Sequence, residues 1–203
     1  MNKSCAGFSV EFAMMNPVGF YFYTVYTLQG VVNNKIGNTG AIDPNDIVFA
    51  VHAFLLSTVQ LTQVFIYTTG KNQKGSVNWY VVAFLLVQFV IIGAVFGVEL
   101  HEPMSLDQSY GTIRMAGYCK AAITFVKYVP QVYLNWKRQS TVGWSLENVL
   151  LDFTGGTFSF IQIIVDAKGR GHPVFACGPD SGFNIVKFIL SVMSMFFDLI
   201  FMF

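Results

Sequence analysis

Six runs of about 20 apolar residues, separated by short polar stretches, decide what this chain can fold into. They cover roughly 8–28, 46–67, 78–97, 111–134, 144–165 and 183–203. A bilayer core is about 30 Å thick and is crossed by ~20 apolar residues in an α-helix. Backbone N–H and C=O groups find no water there, so only helices and closed barrels can span it. The runs are too long for barrel strands and lack their strict alternation. Composition agrees: 54% of the 203 residues are hydrophobic and 11% are charged, against about 25% charged in soluble domains. Mean hydropathy is +0.53. The sequence therefore predicts an all-α, polytopic membrane protein whose surroundings are the lipid bilayer.

Other classes are excluded on the same basis. A net charge of +1 gives no electrostatic footprint for nucleic acid. The 3 cysteines have no C-x-x-C spacing, and the histidines show no ligand pattern, so no metal and no cofactor is expected. No nucleophile–base pair or phosphate loop argues for an enzyme. Residues 1 to 10 lack the basic, apolar and small-residue regions of a secretory signal.

Basic residues of short loops set the orientation of a membrane chain. Lys3, Lys71, Lys74, Lys137 and Arg138 fall on one side, and Lys35, Arg114, Lys168 and Arg170 on the other. The first side is read as cytosolic, which also places the C-terminus there.

The chain contains an internal repeat. The stretch from Lys3, KSCAGFSVEFAMMNPVGFYF, aligns with the stretch from Gln139, QSTVGWSLENVLLDFTGGTF, at an offset of 136 residues. The offset pairs Gly7 with Gly143, Ser9 with Ser145, Glu11 with Glu147 and Asn16 with Asp152. It also lays the sixth run over the second. The third run lies between the copies, so both copies run in the same direction, as in some transporters. Residues 1–67 then form a first repeat with two helices, 68–110 a linker helix with its flanking loops, and 111–203 a complete three-helix repeat. The helix carrying Pro130 and Gln131 maps onto positions before Met1. The expected architecture is a seven-helix, 3+1+3 arrangement of which six helices are visible.

Three consecutive runs carry polar stripes at helical spacing. The fourth holds Lys120, Thr124, Lys127, Gln131 and Asn135. The fifth holds Ser145, Asn148, Asp152, Gly155, Ser159 and Gln162. The sixth holds Lys187, Ser191, Ser194 and Asp198. A charge at the bilayer centre costs several kcal/mol on insertion scales, about 3, so these faces are expected to look at one another across a polar cavity. Serine and glycine positions also suit plain helix packing, and Lys120 and Lys187 also suit snorkelling near helix ends. Pro130 removes a helical hydrogen bond and, with Gly155 and Gly156, is a candidate hinge.

The motif Lys127-Tyr-Val-Pro-Gln, followed by Asn135, by Gln-Ser-Thr-Val-Gly-Trp-Ser and by Asn148-Val-Leu-Leu-Asp-Phe-Thr-Gly-Gly, resembles the second PQ-loop of the cystinosin family. The run ending at Asp46, His52 beyond it and Phe-Phe-Asp at 196–198 resemble it as well. The resemblance implies proton-coupled export of L-cystine from an acidic organelle, a lysosomal, vacuolar or endosomal membrane, and alternating access. It implies substrate contacts at Lys127, Gln131, Asn135, Asn148, Asp152 and Asn16. It implies proton coupling at Asp152, Asp198 and Asp46. The family's first helix with its own PQ motif, its glycosylated luminal domain and its sorting tail have no counterpart in these residues. Another amino-acid substrate, a receptor without flux and a truncated form remain alternative readings.

Overall fold

The computed structural model describes residues 7–35, 44–68, 77–101, 110–169, 171 and 184–202. Within them the chain forms six helices: α1 (Val10–Lys35), α2 (Pro44–Thr68), α3 (Trp79–His101), α4 (Tyr110–Arg138), α5 (Leu146–Gly169) and α6 (Ile185–Met202). The described residues contain no strand. All six predicted helices are present, and the chain is a polytopic helical membrane protein.

The ends differ from the apolar runs. α1 continues to Lys35 instead of stopping near 28, entering a stretch read as loop, and α3, α4 and α5 each overrun by about a turn. Apolarity marks only the part of a helix that hydrocarbon touches. A helical backbone satisfies its own hydrogen bonds and continues into polar surroundings until a stop signal intervenes.

Side chains set the starts. Ser9 Oγ accepts the Phe12 N–H at 3.2 Å, and Ser145 Oγ accepts the Asn148 N–H at 3.2 Å. Asn184 Oδ1 accepts the Lys187 N–H at 3.0 Å. Each is an N-cap that satisfies an orphan donor of the first turn. Pro44 opens α2, where its missing N–H costs nothing. α4 ends on Gln139 in the left-handed region, φ 49°. There the Ser140 N–H reaches the Asn135 carbonyl at 3.3 Å and the Gln139 N–H reaches Trp136 at 3.2 Å, which is a Schellman ending.

Four helices, α2, α3, α5 and α6, are long and apolar enough to cross a membrane. α4 carries Lys120, Thr124, Lys127 and Gln131 in its middle, and all four are buried. Their burial keeps the polar atoms of this helix away from lipid.

Packing divides the chain into two units. The first comprises Met1–Tyr26 and Val48–Trp144, the second Thr27–Ile47 and Ser145–Phe203. In the first, Met15 and Phe22 of α1, Val81 and Leu85 of α3, and Cys119 and Ile123 of α4 form one buried cluster. Gly19 permits the approach of α1 to α4, since a Cβ there would lie 3.0 Å from Ile123 Cγ2. Glu99, near the end of α3, accepts the Thr112 N–H at 2.7 Å and also the Thr112 hydroxyl. A carboxylate thus caps the positive end of α4. In the second unit α5 packs on α6. A Cβ at Gly156 would meet Met195 Cγ at 3.2 Å and the Ser191 carbonyl at 3.4 Å.

Candidate functional site

The polar stripe of α4 is assembled against α1. Lys127 Nζ donates to Asn16 Oδ1 at 2.9 Å and stands 4.6 Å from the Tyr128 ring centroid. About two turns earlier, Lys120 Nζ lies 3.7 Å from the centre of the Phe20 ring. Aromatic faces attract ammonium groups, most strongly where water is excluded. Gly19 leaves room for this, because its Cβ would sit 3.5 Å from Lys120 Nζ. Lys120, read from sequence as a candidate for snorkelling, is instead buried.

Gln131 is fully buried and makes three hydrogen bonds within the protein. Its Oε1 accepts the Ser9 N–H at 2.8 Å. Its Nε2 donates to the Gly7 carbonyl at 2.9 Å and to Asn135 Oδ1 at 2.9 Å. The glutamine of the Pro-Gln pair therefore clamps the start of α1 and turns the Asn135 amide at the same time. With Oδ1 taken, Asn135 is held with Nδ2 as its remaining group. That buried Nδ2 and the buried Thr124 hydroxyl have no hydrogen-bond partner among the described residues. A buried donor left unpaired costs about 1–3 kcal/mol, so this face holds hydrogen-bonding capacity that the fold itself does not use. Pro130 lies inside α4, where its ring removes the N–H that would reach the Val126 carbonyl.

The second unit presents a different arrangement. On α5, Asn148, Asp152 and Gly155 are exposed and Ser159 is half-buried. These four lie within about 60° of one another around the helix. The packed face of α5 is Val149, Gly156, Ile163 and Ala167, roughly 75° further round. The polar stripe is thus flanked by the α6 contact and is not part of it. Of the paired glycines, only Gly156 touches α6. On α6, Lys187, Ser191 and Asp198 are buried. Lys187 Nζ pairs with Asp46 Oδ1 at 2.9 Å, with side-chain exposures of 7% and 11%. Lys187 is therefore held inward by a counter-ion from the first turn of α2 and does not snorkel. Ser194 Oγ lies 3.4 Å from Asp198 Oδ2.

Sequence spacing missed three features of these arrangements. The Gly7 carbonyl and Ser9 N–H, which receive Gln131, are backbone groups with no side-chain signature. The Phe20 ring under Lys120 reads as one more membrane aromatic. The Asp46–Lys187 pair joins residues 141 positions apart. One signal was available for the first: Gly-x-Ser recurs at 7–9 and 143–145. Gly7 and Gly143 both have left-handed backbone, φ 104° and 98°, and both motifs precede a helix whose first turn the serine caps.

Residues 112–168 match the PQ loop repeat family. A Dictyostelium discoideum protein named cystinosin homolog is 35% identical over 208 residues, covering 98% of this chain and 69% of that protein. The chain belongs to the cystinosin family. A Caenorhabditis elegans cystinosin homolog is 35% identical over 210 residues, and the chain spans 49% of its length. A Saccharomyces cerevisiae protein named cystine transporter is 25% identical over 224 residues, with 81% of its length covered. The PQ loop match contains Pro130, Gln131, Asp152, Gly155 and Gly156, so the family motif coincides with the α1 clamp and with the polar stripe of α5.

Proposed function

We propose that this chain transports cystine across a membrane, moving it from an acidic compartment to the cytosol with protons. The observation that carries the reading is the α4 face: two buried lysines alternate with a buried hydroxyl and a buried amide N–H that have no hydrogen-bond partner among the described residues. Such a face suits carboxylates. Cystine has two carboxylates and two ammonium groups joined by an apolar disulfide. Lys127 exchanges Asn16 for a substrate carboxylate as a charge-assisted hydrogen bond, and Asn135 Nδ2 donates to the same end. Gln131 acts in this reading by holding Asn135 and the α1 terminus in place. Asn148 and Asp152 on α5 offer oxygen acceptors of the kind an ammonium group requires.

Asp152 is also the primary proton carrier, with Asp198 and Asp46 as secondary ones. Pro130 gives α4 the freedom that alternating access requires. The setting is a lysosomal or vacuolar membrane with the C-terminus cytosolic. Nothing in this scheme calls for enzyme chemistry.

Uptake of labelled cystine by cells displaying the chain at their surface in acidic medium tests it. Wild type should accumulate cystine faster at pH 5 than at pH 7, and Asp152→Asn should abolish the pH dependence. Full proton-driven uptake by Asp152→Asn would sink the assignment.

A further inference from the structure

Gly155 has no structural reason to be glycine. Its φ is not in the left-handed region, unlike Gly7, Gly143 and Gly171. Among the described residues a Cβ built on it meets nothing within 4 Å, whereas one on Gly156 meets Met195 and Ser191. Glycine inside a helix costs roughly 1 kcal/mol relative to alanine, so the chain gives up stability at Gly155 without gaining packing or a turn. Openness alone does not single it out, because Gly93 and Gly97 of α3 are equally open. Those two sit in a helix whose exposed neighbours are apolar, Val90, Phe96 and Leu100 among them. Gly155 sits on the edge of the polar stripe, three residues after exposed Asp152 and four before half-buried Ser159, with exposed Leu151 and Phe158 on its other side. A stripe carrying a carboxylate does not face hydrocarbon.

We infer that Gly155 sets the clearance of the solute path beside Asp152. Side chains three apart on a helix are about 5–6 Å from one another. An ammonium group held by Asp152 therefore brings the rest of an elongated amino acid over the Gly155 backbone. Glycine keeps that turn of α5 bare. A side chain there meets the body of the solute while leaving the Asp152 carboxylate untouched. This makes Gly155 a specificity-determining position for a long zwitterion, and it rests on the transport reading above. Gly156, by contrast, is glycine for packing on α6.

A size series distinguishes clearance from hinging. Gly155→Ala should raise KM for cystine about tenfold with kcat retained, because one extra carbon in a tight path is worth ~1–3 kcal/mol. Gly155→Val should abolish cystine uptake yet leave uptake of the shorter half-molecule, cysteine, within about threefold of wild type, since its body ends before that turn. A hinge role gives the opposite split: kcat falls with alanine and KM holds. That split, or a series in which cystine and cysteine fall together, overturns the proposal.

A second arm needs no substrate. In a chain with Cys5, Cys119 and Cys177 replaced by alanine, Gly155→Cys should react with a charged, membrane-impermeant methanethiosulfonate. Gly93→Cys should not. An unreactive thiol at 155 overturns the water-lined face directly. If wild type moves no cystine, the transport reading and the clearance role fall together. If wild type moves cystine and the series is flat, only the role of Gly155 falls.

Discussion

Removing the Gln131 side chain should unfold the first unit more readily than any other single polar truncation on α4. Gln131→Ala strands the buried Ser9 N–H and the Gly7 carbonyl, each bonded to the amide at 2.8 and 2.9 Å. An unpaired buried group costs about 1–3 kcal/mol, and the space left by four side-chain atoms adds a cavity term. The total is on the order of 3–5 kcal/mol, because water entering the gap recovers part of the loss. For a chain of this size 1 kcal/mol shifts Tm by roughly 2–4 °C, so a fall of about 10 °C is expected. Gln131→Glu keeps an acceptor for Ser9 but sets its second oxygen against the Gly7 and Asn135 oxygens. It should fare no better than alanine.

The molecule carries its own reporter. Cys119 is 3% exposed and lies in the buried cluster of the first unit. A maleimide dye that fluoresces on reaction therefore reads the opening of this unit in detergent, with Cys5 and Cys177 replaced. The Ser9→Ala variant, which removes the N-cap oxygen and leaves the Gln131 bonds to the backbone, should lose only about 1 kcal/mol. If Gln131→Ala melts within about 2 °C of wild type, the clamp contributes no stability and the account of the Pro-Gln glutamine is wrong.

Other variants test other contacts. Asp46→Asn and Lys187→Met should each destabilise by about 3–5 kcal/mol, because each leaves a buried charge without its counter-ion. The double variant should recover most of the loss, and thermal melts of all three close the cycle. Gly7→Ala should cost more than about 2 kcal/mol, since φ is 104° and the new Cβ would collide with the Val142 carbonyl. Its yield of folded protein against Gly93→Ala, which should gain up to ~1 kcal/mol, checks this. Gly111→Ala would place a Cβ 2.7 Å from Glu99 Oε1. It should loosen the α3–α4 clasp and raise amide exchange in the first turn of α4, as Glu99→Ala should.

The helices were legible because apolar runs of membrane length admit few alternatives. Their ends were not, because nothing in hydropathy marks where a self-satisfied backbone stops. Residues after 28 in α1 and after 134 in α4 remain helical in polar sequence. The α4 stripe was legible as a stripe, since its spacing is helical whatever it faces. What it faces was not, because Gly7 and Ser9 receive Gln131 through backbone atoms and lie more than 120 residues away in sequence. The two Gly-x-Ser segments are alike in structure: at an offset of 136 residues a left-handed glycine is followed by a capping serine and a helix start.

Aspartates that look equivalent in sequence separate in the structure. Asp46 and Asp152 both stand beside apolar runs and were both read as proton carriers. Asp46 holds Lys187 at 2.9 Å, so loading a proton on it must first break a buried ion pair. Asp152 lies on an exposed stripe beside Gly155, outside the α5–α6 contact. In the proposed transport scheme the two carboxylates would therefore serve different tasks, loading at Asp152 and a step tied to Lys187 at Asp46. Spacing along the chain could not tell them apart, because the deciding lysine lies 141 residues away. A variant that neutralises both members of the Asp46–Lys187 pair removes the step tied to Lys187 and leaves Asp152 in place. Its uptake should keep its pH dependence if Asp152 loads the proton, and lose it if Asp46 does.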